Sequence, residues 1–103
     1  LASHPGHQLA ARQQDGFGQL ISIQLADGVA DARDTVRRLQ VFTLAQSLGG
    51  VESLVNIPAL MTHAAMTPQA RAEAGISDSL VRLSIGLEAP ADLIADLDAA
   101  LAR

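Results

Sequence analysis

The chain has no lysine, no cysteine, no tryptophan and no tyrosine, and two phenylalanines in 103 residues. Each absence removes a class of chemistry. Without cysteine there are no disulfides and no thiolate metal sites, and nothing points to an oxidising compartment. Without lysine there is no side-chain amine to form a Schiff base. With large rings nearly missing, a core of Ala, Leu, Ile and Val must rely on close approach of helices to a sheet. No apolar run approaches the roughly 20 residues that span a bilayer. The opening LASHPGHQLAARQQ lacks the charged-then-apolar layout of a secretory signal.

What is present suits one domain or part of one. Apolar residues make up 49% of the chain, which excludes a disordered class. A free-standing domain of this size buries about 60–70% of its unfolded surface. The net charge is −4, and all seven basic residues are arginine, at 12, 33, 37, 38, 71, 82 and 103. They are scattered, only Arg37 and Arg38 are adjacent, and no aromatics interleave with them. That argues against a nucleic-acid surface. The chain begins at Leu1, which fits a piece of a longer polypeptide.

Periodicity and punctuation divide the chain into eight segments. Ser3-His4-Pro5 opens a helix with Leu9 and Ala10 facing inward, and Asp15-Gly16 breaks it. Residues 17–26 alternate, with Ile21, Ile23 and Leu25 on one face of a strand. Asp27 can cap a following helix in which Val29, Val36 and Leu39 recur at helical spacing. Residues 41–48 form a second strand, ended by Gly49-Gly50, and 51–57 a short extended piece stopped by Pro58. Thr67 as cap and Pro68 at the first position start a helix, and Gly75 stops it. Residues 80–87 give the cleanest strand: Val81, Leu83, Ile85 and Leu87 on one face, Arg82, Ser84 and Gly86 on the other. Pro90 opens a last helix with a stripe of Leu93, Ile94, Leu97 and Leu101. The expected fold class is α/β in the sense of an α+β sandwich: a small, mainly antiparallel sheet with helices packed on one face.

Three positions invite a chemical reading. Arg82 is a charge inside an apolar strand, so it must reach solvent, a partner or a ligand. Pattern alone favours a surface or ion-pair arginine. Ser47 ends a strand just before Leu48-Gly49-Gly50, where glycines allow a sharp bend or a close approach to a ligand. Pattern alone favours a plain turn there. Glu52 reads by itself as a solvated loop acid. His4 and His7 are spaced like metal ligands, but neither they nor His63 has a third ligand nearby, so no metal is expected. No nucleophile, base and orienter combine. Gly16-x-Gly18 precedes a strand, whereas phosphate-cradling loops follow one.

Four blocks carry a resemblance that runs from residue 3 to about 101: SHPGHQLAARQ near the start, SLGGVES at 47–53, MTH at 61–63 and VRLSIGLE at 81–88. With the closing DLIADLDAAL, they resemble the C-terminal domain of the pyridoxal-phosphate (PLP) enzymes of cysteine and methionine metabolism, the cystathionine γ-synthase and γ-lyase group. Within it, GGVES is more similar to γ-synthases and γ-lyases than to methionine γ-lyases.

The resemblance implies the C-terminal domain of a fold-type-I PLP enzyme. Residues 1–15 would be an interdomain helix segment and 16–103 the substrate-binding domain. PLP would be bound mainly by the rest of the polypeptide. Arg82 would bind the substrate α-carboxylate, with Ser47 beside it, Thr62 a neighbour of that site, and Glu52 near the distal end of the substrate. The three histidines would be structural. The whole enzyme would labilise an α-proton and eliminate or replace at the γ-carbon of a homoserine ester or cystathionine, as a cytoplasmic homotetramer. The chain alone, lacking the PLP lysine, would be inactive. The competing expectations are a free-standing module that binds amino acids or another protein without catalysis, and a proteolytic remnant of the enzyme.

Overall fold

The computed structural model describes residues 1–26 and 29–102; Asp27, Gly28 and Arg103 lie outside, as do the side chains of Val29 and Ala30. The expected capping by Asp27 and the inward face of Val29 therefore fall outside the described residues. Eight elements follow in the expected order: α1 (His7–Gln13), β1 (Leu20–Gln24), α2 (Val29–Arg38), β2 (Thr43–Leu44), β3 (Leu54–Asn56), α3 (Pro68–Glu73), β4 (Leu80–Ser84) and α4 (Pro90–Leu101). The strands form one sheet in the order β1-β4-β3-β2. β4 pairs antiparallel with both β1 and β3, while β2 runs parallel to β3.

Local chemistry explains the elements. Thr67 Oγ1 accepts the Ala70 N–H at 3.1 Å and Pro68 holds the first turn of α3. Gly75 closes that helix at φ +77°, a backbone state that glycine takes without steric cost. On α2, Ala32 and Val36 are buried, and Leu39 packs against the core one turn beyond. The core joins these to Phe42, Val55, Ile57, Val81, Leu83 and Leu93. α2 lies on β4 and against α4, so one sheet face is helix-covered at its centre, while Ile21 and Leu44 on the edge strands are exposed.

Four expectations are corrected. The inward stripe of α4 is Leu93, Asp96, Leu97 and Ala100, while Ile94 and Leu101 are exposed. The helix is turned so that Asp96 accepts the backbone N–H groups of Gln40, Val41 and Phe42 at 2.7, 2.8 and 3.1 Å. Supplying acceptors to amides at a tight turn outweighs burying one more isoleucine. The same bonds shorten β2, because Val41 and Phe42 spend their N–H groups on Asp96 and only Thr43 and Ala45 bond across to β3. β4 ends at Ser84, because the Gly86 and Leu87 amides are taken by a neighbouring loop, and Leu87 is left exposed. Leu9 is exposed, and no residue of α1 is buried.

Candidate functional site

The sheet face opposite the helices is closed over β3 and the end of β4 and open over β1, whose Leu20, Ser22 and Gln24 are exposed. Leu54, Asn56 and Ser84 point that way and are all buried. Arg82 stands among them, half-buried at the centre of β4. Its register neighbours are Ser22 on β1 and Asn56 on β3. Orienting the Asn56 amide by its surroundings turns Oδ1 toward the guanidinium, where it accepts from Nη2 at 2.7 Å and Nε at 3.1 Å. Among the described residues, no carboxylate forms an ion pair with Arg82. A guanidinium held by a neutral amide keeps its charge for an anion.

The glycine-rich loop of residues 47–53 is stitched onto the end of β4. Gly49 N–H donates to Ser84 Oγ at 2.8 Å, and Leu87 N–H to the Val51 carbonyl at 2.7 Å. Ser53 is fully buried and satisfied on every side. Its N–H and hydroxyl donate to the two oxygens of Glu88 at 2.8 and 2.7 Å, and its Oγ accepts from Gly86 N–H at 2.8 Å. The Ser53 backbone bond, aided by its hydroxyl, holds the Glu88 carboxyl below its usual range. A side chain on Gly86 would meet the Val51 carbonyl oxygen and, at 2.6 Å, the Glu52 carbonyl carbon, so the close approach requires glycine. The two blocks read from sequence thus form one structural unit.

The predicted site residues divide accordingly. Ser47 and Glu52 are exposed in the stitched loop, and no hydrogen bond among the described residues joins the side chain of either to Arg82. Thr62 is exposed in the turn that follows Pro58, with Oγ1 2.7 Å from His63 Nδ1. No hydrogen bond among the described residues joins Thr62 to Arg82, Ser47 or Glu52. His4 Nδ1 accepts the Gly6 N–H at 3.0 Å, and His7 stacks on Phe17 with ring centroids 4.8 Å apart. No group of three metal-ligating side chains occurs among the described residues. Sequence reasoning missed Asn56, Ser53 and Glu88 as individual residues. The available signals were a polar side chain inside the buried run LVNI and a serine and an acid closing two adjacent blocks.

An open depression of about 520 Å³ lies beside the loop, lined by Gly49, Gly50, Val51, Gly86 and Leu87 among others. Arg82 is not in its wall. The free charge marks the candidate site better than the hollow does, because orientation comes from few polar groups.

Comparison with known proteins identifies the family. The family model of the Cys/Met metabolism PLP-dependent enzymes matches residues 1–102. The chain belongs to this family. It is 52% identical, over all 103 residues, to a cystathionine β-lyase of Lactococcus lactis subsp. cremoris, covering 27% of that protein. Over 98 residues (95% of this chain and 25% of the relative) it is 53% identical to the cystathionine γ-synthase of Escherichia coli. The crystal structure of a cystathionine γ-synthase from Xanthomonas oryzae pv. oryzae in complex with cystathionine superposes with a TM-score of 0.91 at 63% identity, over 98% of this chain and 26% of that one. The chain thus spans about a quarter of the length of these relatives.

The family is PLP-dependent, yet these residues do not fit the cofactor's covalent attachment. The chain has no lysine among its 103 residues; Gly16 and Gly18 precede β1, and the Gly49-Gly50 loop that follows β2 leads into β3, not into a helix N-terminus.

Proposed function

We propose that the chain is the C-terminal, substrate-binding part of a PLP-dependent trans-sulfuration enzyme acting at the γ-carbon of a homoserine ester or cystathionine. Residues 1–15 are the interdomain segment and 16–103 the domain. Arg82 binds the α-carboxylate of the amino acid. Ser47 hydrogen-bonds beside it, Thr62 borders the same site, and Glu52 faces the distal end of the substrate. PLP, held mainly by the rest of the polypeptide, supplies an electron sink. The contribution of this chain is positional: an anchored carboxylate fixes which bond of the substrate is turned toward the cofactor.

One observation carries this reading. Arg82 is a half-buried guanidinium in mid-strand, held by a neutral amide and, among the described residues, unmatched by any carboxylate. Such a group is a receptor for a planar anion. The Xanthomonas relative, solved with cystathionine, points to an amino-acid ligand. The same reading makes the whole enzyme a cytoplasmic homotetramer and this chain inactive alone. No helix among the described residues is long and apolar enough to cross a membrane.

The test is Arg82→Ala in the full-length enzyme. Removing one partner of a desolvated charge pair costs about 2–5 kcal/mol, so kcat/KM for L-cystathionine should fall by at least about 30-fold. An unchanged kcat/KM would overturn the assignment.

A further inference from the structure

Asn56 is the buried polar side chain that the carboxylate reading leaves unexplained. It is 1% exposed, in a strand whose neighbours Leu54, Val55 and Ile57 are buried and apolar. An amide in such surroundings is costly unless it is hydrogen-bonded, and the partner it has is the guanidinium of Arg82. The contact is one-sided in a useful way. Asn56 Oδ1 takes Nε–H and one hydrogen of Nη2, the side-on edge of the fork. Arginine has five N–H donors in a rigid plane. The end-on edge, made by Nη1 and the second Nη2 hydrogen, remains for a ligand.

The chemical identity of residue 56 matters beyond packing. An acid there would accept the same two bonds and cancel the charge of Arg82. An apolar residue would leave Nε–H without an acceptor and the plane free to turn. Asparagine fixes the plane and leaves the charge uncancelled.

We propose that Asn56 is the positioning residue of the carboxylate receptor: it clamps the side-on edge of Arg82 so that the end-on edge is presented, still fully charged, to the substrate carboxylate. This rests on the reading of Arg82 given above.

The test uses Asn56→Ala, Asn56→Asp and Arg82→Ala in the PLP-loaded full-length enzyme, with L-cystathionine as the probe. For each variant KM, kcat and Tm are measured. Asn56→Ala should raise KM about tenfold, the scale of one hydrogen bond to a charged group, with kcat nearly unchanged. Asn56→Asp decides between roles. A purely structural asparagine predicts that the isosteric acid, a stronger partner for arginine, keeps both Tm and KM. The proposal predicts that Asn56→Asp keeps or raises Tm but raises KM further than Asn56→Ala does. Wild-type KM in Asn56→Asp, or a change in Tm alone in both variants, overturns the role of Asn56. If Arg82→Ala loses activity in the same series, the carboxylate reading survives that failure. If Arg82→Ala is silent, both fall.

Discussion

The two faces of this sheet are both buried at its centre, over β3 and β4, but by different means. The helix side is apolar packing: Val55, Val81 and Leu83, nearly sealed beneath Ala32, Val36 and Leu93. The loop side holds Asn56, Ser84 and Arg82 and is closed by side-chain hydrogen bonds, with Ser53, Gly86 and Glu88 at its rim. Both lie on the same strand, one residue apart. Packing energy is non-directional and tolerates many solutions, so it serves stability. A buried polar network has few solutions and fixes geometry, so it serves a site. The contrast predicts that substitutions on the two faces of β4 separate stability from binding.

The largest stability effect belongs to the helix side. Leu83 is 2% exposed in the centre of that face. Leu83→Ala should destabilise the domain by about 2–5 kcal/mol, from lost transfer energy and a residual cavity. Denaturant midpoints of the full-length protein measure this, and KM for L-cystathionine should stay near wild type. Arg82→Ala, its neighbour on the other face, should do the reverse. A Leu83 variant that loses affinity at unchanged stability would erase the distinction between the faces.

Next in size is the one polar anchor on the helix side. Burial pushes the Asp96 carboxyl up, but the amides of Gln40, Val41 and Phe42 outweigh it and hold the group below its ordinary value. A depressed folded pKa stabilises the protein fully above the unfolded value of about 3.9, and the contribution disappears as pH falls through the lower folded value. Asp96→Ala should therefore cost about 1.5–3 kcal/mol at neutral pH, the scale of hydrogen bonds to a charged group. The wild type should lose stability on acidification below about pH 4 more steeply than the variant. Parallel acid-unfolding curves would show that the turn is held by something else.

Most of the skeleton was legible. Thr67, Pro68 and Gly75 bound α3 as their chemistry requires, and the element order follows from periodicity and punctuation together. Misplacements occurred where a backbone donor found a side-chain acceptor far along the chain. Asp96 pairs across 54 to 56 residues and Glu88 across 35. Periodicity sees local faces, so it put Ile94 inward, left Asp96 unread and ran β4 on to Leu87. Arg82 was legible as an anomaly, a charge in an apolar strand. Asn56 was not, because its meaning depends on standing directly across from Arg82 in the β3–β4 register.

The smallest effect belongs to the rim of the polar face. Glu88 receives the N–H and hydroxyl of Ser53 on its two oxygens, which holds the segment carrying Glu52 against β4. Its carboxyl is held low by those bonds, so the latch is complete above the unfolded value of about 4.3 and loosens as pH falls through the lower folded value. Glu88→Gln keeps the shape but leaves one acceptor where two are needed, with an NH2 facing a donor. The amides of Ser53, Gly86 and Leu87 should then exchange hydrogen faster, while the amides of β3 and the midpoint of global unfolding stay as in the wild type. Because the latch carries Glu52 and not Arg82, the KM for a short amino acid should move less than the KM for L-cystathionine, whose distal end reaches further. Equal shifts for both ligands would mean that Glu88 steadies the carboxylate end as well, and unchanged exchange at Ser53 would mean that the loop is held without it.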